Sequence, residues 1–316
     1  MKTKVFIDGS EGTTGLRIHE RFSQRDDIEL LTISAELRKD PEERKRLINS
    51  SDITFLCLPD AAAMESVSLI DNDHVVIIDT STAHRTNEGW AYGFPELSSD
   101  HHAAIKNGKR IAVPGCHATG FISLVYPMVA GGLMPADYPV SAFSLTGYSG
   151  GGKKMIAAYE AEDKAQDLFA PREYALTQQH KHLKEMKKIA GLTRLPLFSP
   201  IVDDYYSGMV VTVPLYTDLL KGATVEGVRE YFKEFYKGQK FVTVADADDA
   251  IASTGFISGN QLSGFDGLKI YITGNEDRIL LTSQFDNLGK GASGAAMQCM
   301  NIVLGCDEAK GLNLKI

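Results

Sequence analysis

Val5-Phe6-Ile7-Asp8-Gly9-Ser10-Glu11-Gly12-Thr13-Thr14-Gly15 decides the fold. Its first three residues are an apolar run of strand length. Three glycines follow at a spacing of three, and from Thr14 to Arg25 the apolar Leu16, Ile18 and Phe22 stand among polar residues, as in a surface helix. Strand, GxxGxxG turn and helix together form a variant of the GxGxxG dinucleotide fingerprint. Glycine permits the tight turn and the close approach of a pyrophosphate, and the helix N-terminus offers N–H groups and the positive end of its dipole. An ordinary βα turn also uses glycine. The strand–turn–helix context right at the start of the chain favours a nucleotide site.

Working outward, Ile28–Ile33, Ile53–Leu58, Val75–Asp79 and Ile111–Val113 read as further strands, and Glu42–Asn49, Ala61–Ile70 and Thr119–Val129 as helices. Strands that are almost wholly apolar and alternate with helices predict a parallel sheet covered on both faces. From Pro139 the pattern changes. Val140–Thr146, Val210–Leu215, Phe241–Ala245, Lys269–Ile272 and Ile279–Gln284 read as strands of a more antiparallel sheet, and Ala295–Leu304 as an apolar helix. The fold class predicted is α/β: a Rossmann-type dinucleotide-binding domain plus an α+β catalytic and oligomerisation domain with a mainly antiparallel sheet. The first domain is expected over 1–115, completed by the C-terminal segment 289–316, and the second over 116–288.

Composition narrows the function. The chain has 316 residues, 43% hydrophobic and 23% charged, which excludes a disordered chain and suggests two domains. With 33 Lys and Arg against 41 Asp and Glu, its net charge is −8, a poor match for broad nucleic-acid or anionic-membrane binding. Cys57, Cys116, Cys299 and Cys306 are scattered and form no CxxC pair, so a disulfide scaffold is not expected and a reducing cytoplasm fits. No signal-peptide pattern and no apolar run of about 18 residues is seen, so no membrane association is expected.

The second strand bears on the cofactor. An NAD-specific fold places Asp or Glu at its end to bind the ribose 2′-hydroxyl. Here it ends at Ser34, small and neutral, followed by Arg38 and Lys39, which suits the 2′-phosphate of NADP; Glu36 is the competing acid, and the basic pair is otherwise a solvated surface feature.

Pro114-Gly115-Cys116-His117-Ala118-Thr119-Gly120 places a cysteine directly before a helix. A helix N-terminus stabilises thiolate, and thiolate is a good covalent nucleophile. Most cysteines are buried and structural, which fits Cys57, Cys299 and Cys306 in their apolar stretches; Cys116 stands among loop-formers. A proton carrier is available in Gln178-Gln179-His180-Lys181-His182-Leu183-Lys184-Glu185. His182 and Glu185, three apart, share a face of a helix, so Glu185 could orient the imidazole. His-x-His also occurs in metal sites, but no further ligand lies nearby and no metal is expected. A nucleotide loop with an activated cysteine points to redox chemistry through a thioester. A cysteine hydrolase or acyltransferase, and a redox-sensing nucleotide-binding regulator without turnover, are the alternatives.

Several blocks then occur in one order: Gly9-Ser10-Glu11-Gly12-Thr13-Thr14-Gly15, Leu58-Pro59-Asp60, Asp79-Thr80-Ser81-Thr82-Ala83-His84-Arg85, Tyr92-Gly93-Phe94-Pro95-Glu96-Leu97, Pro114-Gly115-Cys116, Gly147-Tyr148-Ser149-Gly150-Gly151-Gly152-Lys153, His180-Lys181-His182 and Asp286-Asn287-Leu288-Gly289-Lys290-Gly291-Ala292. On these, over nearly its whole length, the chain resembles the N-acetyl-gamma-glutamyl-phosphate reductases in their shorter, type 2 form. Aspartate-semialdehyde dehydrogenase is the related fold and nearest competitor; it lacks the Tyr-Gly-Phe-Pro-Glu-Leu run. The resemblance implies NADPH-dependent reduction of an acyl phosphate, N-acetyl-γ-glutamyl phosphate, to N-acetylglutamate semialdehyde in arginine biosynthesis, by a homo-oligomer, dimer or tetramer. It implies Cys116 as nucleophile, His182 with Glu185 as acid/base pair, and His180 left to contact the substrate phosphate. Gly9, Ser10, Gly12, Thr13, Thr14, Gly15, Ser34, Arg38, Leu58, Pro59, Asn287 and Gly291 are the implied cofactor contacts, and Ser81, Arg85, Ser149 and Gly150 the implied substrate contacts. The chain departs from the pattern at His117, where relatives carry Tyr, and at Lys184, where they carry Pro; Ile201–Met209 matches only loosely.

Overall fold

The structure, a computed structural model, describes residues 2–23, 25–250 and 252–314. The chain opens with β1 (Thr3–Asp8), α1 (Thr13–Phe22), β2 (Ile28–Leu31), α2 (Pro41–Ser50), β3 (Ile53–Leu56), α3 (Asp60–Ser68), β4 (Val76–Asp79), β5 (Ala91–Tyr92), α4 (Ser99–Asn107) and β6 (Arg110–Ala112). It continues through α5 (Cys116–Ala130), β7 (Ser141–Gly147), α6 (Gly152–Tyr159), β8 (Arg172–Glu173), α7 (Leu183–Ile189), β9 (Leu197–Asp203), β10 (Met209–Tyr216), α8 (Val225–Phe235), β11 (Val242–Val244), β12 (Leu268–Gly274) and β13 (Arg278–Phe285), and ends with α9 (Gly294–Leu304). The chain divides into two units, 1–115 with 292–312, and 116–291 with 313–316. The returning segment is therefore shorter than the predicted 289–316: Gly289–Gly291 belong to the second unit, because they pack around Asp286 and Cys116. Residues 315 and 316 lie outside the described residues, as does Gln24 in the first predicted helix.

In the first unit the strand order is β2-β1-β3-β4-β6-β5, parallel throughout. Period-2 alternation sends Val5 and Ile7 to one face, with Ile18, Phe22, Ile105 and the apolar α9, and Phe6 to the other, with Leu47, Ile48 and Ala63. α2 starts where Asp40 accepts a hydrogen bond from the Glu43 amide at 2.9 Å, with Pro41 at its first position. At the end of β1, buried Asp8 accepts from Arg44 (Nη2, 3.1 Å) and from Ser66 (Oγ, 2.8 Å), which ties the strand to α2 and α3 beneath the glycine turn.

The second unit is a mixed sheet, β11-β12-β13-β10-β7-β9-β8. β7 runs parallel to β9 and β11 to β12; the remaining neighbours are antiparallel. α5 lies on one face, against β10 and β13. Gly120 lets it settle there, since a β-carbon would come within 2.4 Å of Val211 Cγ2. On strands of the same sheet Phe143, Leu197, Tyr216 and Leu280 are exposed. Among the described residues no helix is long and apolar enough to cross a membrane.

Candidate active site

In the first unit the Gly9–Gly15 turn is built by steric demand. Gly9 has φ +89°, and a β-carbon on it would lie 2.4 Å from the Cys57 carbonyl oxygen and 2.9 Å from Leu58 Cδ2. One on Gly15 would lie 2.4 Å from the Gly9 carbonyl oxygen. Gly12 differs: its nearest neighbours would be at 3.5 Å, so packing does not require glycine there, and it caps α1 without a side chain. The first turn of α1 carries no acidic residue. A bare, uncrowded helix start free of carboxylates fits a pyrophosphate. Leu58 lies over Gly9, and Pro59 caps α3.

Beyond β2, Ser34, Glu36 and Arg38 are exposed in the turn that leads to α2. The Glu36 carboxyl is held below its usual range by its own backbone N–H and by the Ser34 hydroxyl. A negative charge therefore sits at Ser34, a feature the sequence left open between Glu36 and the basic pair.

At the end of β4, Asp79 organises the next six residues. It is fully buried and accepts from the Ser81 amide and hydroxyl, both at 2.8 Å, while its Oδ2 meets His84 Nδ1 at 2.6 Å. His84 stacks on Trp90 with centroids 4.0 Å apart. Arg85 donates to the carbonyls of Val113 (2.8 Å) and Thr80 (2.9 Å). Ser81 and Arg85, expected to hold substrate, thus spend these donors on shaping their own loop.

In the second unit Cys116 is the first residue of α5, three residues earlier than the predicted helix start at Thr119. It is half-buried, whereas Cys299 is fully buried and burial pushes the Cys57 thiol up to about 12. Gly291 faces it: a β-carbon there would lie 3.0 Å from Cys116 Cβ. Gly291 thus makes room for the cysteine.

His117, His180 and His182 form one cluster, with ring centroids 5.4 Å (His117–His180), 5.7 Å (His117–His182) and 4.7 Å (His180–His182) apart, and Phe198 edges onto His117 and His180. His182 is buried, in helical dihedrals as the N-cap residue of α7, and buried Glu185 stands in that helix's first turn. His180 Nδ1 accepts the His182 backbone N–H at 3.2 Å, so a neutral His180 carries its proton on Nε2. Burial, with Lys181 nearby, lowers His180 to about 4. Burial, with His180 and Lys181, lowers His117 to about 3. Both rings are neutral at pH 7. The sequence did not single out Tyr174 or Ser144, the hydroxyl partners of His117, each 2.6 Å from a ring nitrogen. A buried imidazole next to Cys116 was the signal to look for partners. Among the described residues no three His, Cys, Asp or Glu side chains are arranged to hold a metal.

Tyr148–Gly151 is a short 3₁₀ turn that joins β7 to α6. The N–H groups of Gly147, Tyr148 and Ser149 donate to the carbonyls of Gly208, Tyr205 and Tyr206. The Gly152 N–H in turn donates to the Ser149 carbonyl. Asn287, expected at the cofactor, has both ends of its amide engaged in this unit: Oδ1 accepts from the Gly208 N–H (2.8 Å) and Nδ2 donates to Ser149 Oγ (3.0 Å).

Comparison with known proteins adds the relationships. Residues 4–105 match the family model described as the NAD binding domain of semialdehyde dehydrogenase, and residues 116–287 the model of its dimerisation domain. The chain is 43% identical over 320 residues to N-acetyl-gamma-glutamyl-phosphate reductase 2 of Nostoc sp., covering 98% of this chain and 99% of the relative. It is 44% identical over 309 residues to N-acetyl-gamma-glutamyl-phosphate reductase of Rhizobium meliloti, covering 96% and 99%. Among solved structures, aspartate semialdehyde dehydrogenase II of Vibrio cholerae, complexed with ASA, superposes with TM-score 0.70 at 16% identity over 96% of this chain and 99% of that one. Aspartate semialdehyde dehydrogenase of Candida albicans, with NADP, gives 0.67 at 14% identity over 96% and 99%. These two likenesses concern the fold alone.

Proposed function

The chain belongs to the semialdehyde dehydrogenase family and, within it, to the N-acetyl-gamma-glutamyl-phosphate reductases, and from that membership we propose how its residues divide the work. The reaction is the reductive dephosphorylation of N-acetyl-γ-glutamyl phosphate to N-acetylglutamate semialdehyde. The observation that carries the assignment of roles is a half-exposed cysteine on the first turn of α5, with two histidines, His180 and His182, gathered around the next residue, His117.

Cys116 attacks the acyl phosphate carbon as thiolate, the C–O bond to phosphate breaks, and a thioester remains on the sulfur. Gly9–Gly15 would hold the dinucleotide, which when bound would supply the hydride that reduces the thioester. Collapse of the resulting thiohemiacetal frees the aldehyde and returns the thiolate. His182 moves the proton that this collapse releases, with Glu185 behind it on the same helix. His180, with its proton on Nε2, donates to a substrate oxygen as a neutral group rather than as a cation. N–H groups at the start of α5 stabilise the oxyanion. Ser149 and Gly150, held by Asn287, border the substrate.

The cofactor we assign is NADP, with Arg38 at the 2′-phosphate; the small, neutral Ser34 in the turn after β2 supports this. Homo-oligomers form, in our reading, through a second copy of this chain on the open side of the second sheet, at Phe143, Leu197 and Leu280. The match of 116–287 to a dimerisation domain supports it. Leu197→Asp is then expected to shift the sedimentation coefficient to that of a monomer.

The test of the activity is run in reverse, supplying phosphate, N-acetylglutamate semialdehyde and NADP, then replacing the aldehyde by aspartate semialdehyde, then NADP by NAD. Turnover confined to the acetylated aldehyde with NADP is expected. Turnover with aspartate semialdehyde instead would reassign the substrate, and turnover with NAD alone the cofactor.

A further inference from the structure

Between Tyr174 and Ser199 the chain carries five lysines and arginines, Lys181, Lys184, Lys187, Lys188 and Arg194, against one acid, the buried Glu185, although its net charge is −8. α7 buries Leu183, Glu185 and Met186 and leaves Lys184 and Lys188 exposed. Lys187 and Lys188 stand in its last turn, where the helix dipole favours cations. Lys184 stands in the first turn, where the dipole disfavours a cation. Lys181, also exposed, stands in the chain between His180 and His182, whose ring centroids are 4.7 Å apart. Among the described residues neither Lys181 nor Lys184 is in an ion pair, whereas Lys45, Lys233 and Lys237 are paired with Asp71, Glu230 and Glu234. β8 brings one exposed acid, Glu173, next to Tyr174, the partner of His117 Nε2. Two unpaired cations against it leave positive charge in excess at this edge.

We propose that Lys181 and Lys184 are specificity-determining residues, an unpaired positive edge beside the histidine cluster that draws the phosphate and carboxylate groups of an anionic acyl phosphate toward Cys116. The proposal rests on the reading of Cys116 as nucleophile toward such a substrate. His182 caps α7, His180 lies 5.4 Å from His117 between ring centroids, and His117 follows Cys116, so both lysines are tied by the chain to the groups around the sulfur. With His117 and His180 neutral, those two rings bring no cation to a trianionic substrate, and the lysines supply one. The charge of Lys181 is felt there: after burial, it is a cause of the lowering of both His180 and His117. Lysine suits the task, because a compact charge on a flexible stem attracts an anion without fixing its geometry. The departure at Lys184 gains a purpose: a cation there costs α7 a little stability and adds to the field of Lys181.

The experiment compares alkylation of Cys116 by iodoacetate, an anion, and by iodoacetamide, its neutral analogue, in the full-length protein without ligands, read by mass on the Cys116 peptide so that Cys306 does not contribute. Both reagents lose iodide to the same thiolate, so their rate ratio cancels changes in thiol acidity and reports the potential at the sulfur. Lys181→Gln and Lys184→Gln are each expected to lower the iodoacetate-to-iodoacetamide ratio about two- to threefold, and the double variant about five- to tenfold. The wild-type ratio should fall likewise as salt rises from about 0.01 M to about 1 M, over which the Debye length shrinks from about 30 Å to about 3 Å. Lys237→Gln, the same change of charge at an exposed ion pair on the residue after Tyr236, is expected to leave the ratio unchanged. In the reverse reaction the double variant should lower kcat/KM for inorganic phosphate roughly tenfold with kcat little changed. A wild-type ratio in the double variant overturns the proposal even if turnover falls. A Cys116 that reacts with neither reagent while turnover persists would instead overturn the nucleophile assignment, and the proposal with it.

Discussion

The dinucleotide turn and the cysteine cluster are built in opposite ways. Gly9–Gly15 is one contiguous turn whose requirements fall on backbone: a positive φ at Gly9, two glycines pressed against carbonyls, and a helix start without carboxylates. The cysteine cluster draws side chains from α5, β7, the segment after β8, the start of α7 and the residues after β13. Spacing alone reveals a site made of backbone, because its geometry is local. A site made of side chains shows only its parts until the sheet brings them together.

The largest effects should separate the two regions. Cys116→Ala is expected to lower kcat by at least about 10³-fold and to leave the dinucleotide Kd unchanged, measured by nucleotide titration. Gly9→Ala should do the reverse. It forces a β-carbon onto the Cys57 carbonyl at φ +89°, a strain of about 1–3 kcal/mol, so dinucleotide affinity is expected to fall roughly tenfold or more while Cys116 alkylation proceeds at the wild-type rate. Loss of nucleotide binding in Cys116→Ala, or loss of thiol reactivity in Gly9→Ala, would erase the contrast.

The same division explains how much was legible. The central strands of the first unit, β3 and β4, were readable because they are buried at every residue and carry mostly apolar side chains. In the second unit α8 escaped notice, since the strands around it dominate the pattern; its buried residues are Val228, Arg229 and Phe232, and it packs on β12, where Arg229 donates to the Ile272 carbonyl. Cys116 and the histidines were found as separate motifs. Tyr174 was not, because it lies 57 positions from its partner His117 and sits in a segment with no periodicity. Asn287 was seen as part of a block, but its partners, Ser149 and Gly208, are 138 and 79 positions away, and only β-pairing brings them into reach. Ser81 and Arg85 were read as substrate contacts, and a sequence does not show that Asp79 and two carbonyls also hold them.

A second contrast is in acid. His117 and His180 of the cysteine cluster are neutral by burial, and the dinucleotide turn contains no histidine. His117 and His180 titrate near 3 and 4 in the folded chain, against about 6.5 when unfolded. Between those values the unfolded state binds more protons. Stability supplied by the two neutral rings is thus complete above about pH 6.5 and is lost as pH falls toward 4 and 3, each ring contributing a slope of up to about 1.4 kcal/mol per pH unit. Denaturant melts from pH 7 to pH 4 should show this steepening, and His180→Gln should flatten it. A variant with wild-type slope would mean that His180 is charged in the folded protein.

The smallest effect lies at the dinucleotide side and decides which cofactor that side was made for. Glu36 and Arg38 are both exposed beside Ser34, with opposite charge, and the Glu36 carboxylate accepts the Ser34 hydroxyl. If the 2′-phosphate of NADP is read there, Glu36 opposes it and Arg38 attracts it. Exposed charges act weakly and are screened by salt, so each substitution should change KM by about two- to fivefold. Glu36→Gln is expected to lower the KM for NADP and Arg38→Gln to raise it, with both changes shrinking as salt is added. The signs carry the argument. Should Glu36→Gln instead raise the KM for NAD while leaving NADP unmoved, the carboxylate is bonding a ribose hydroxyl, and the acid after the strand, not the arginine, has set the cofactor.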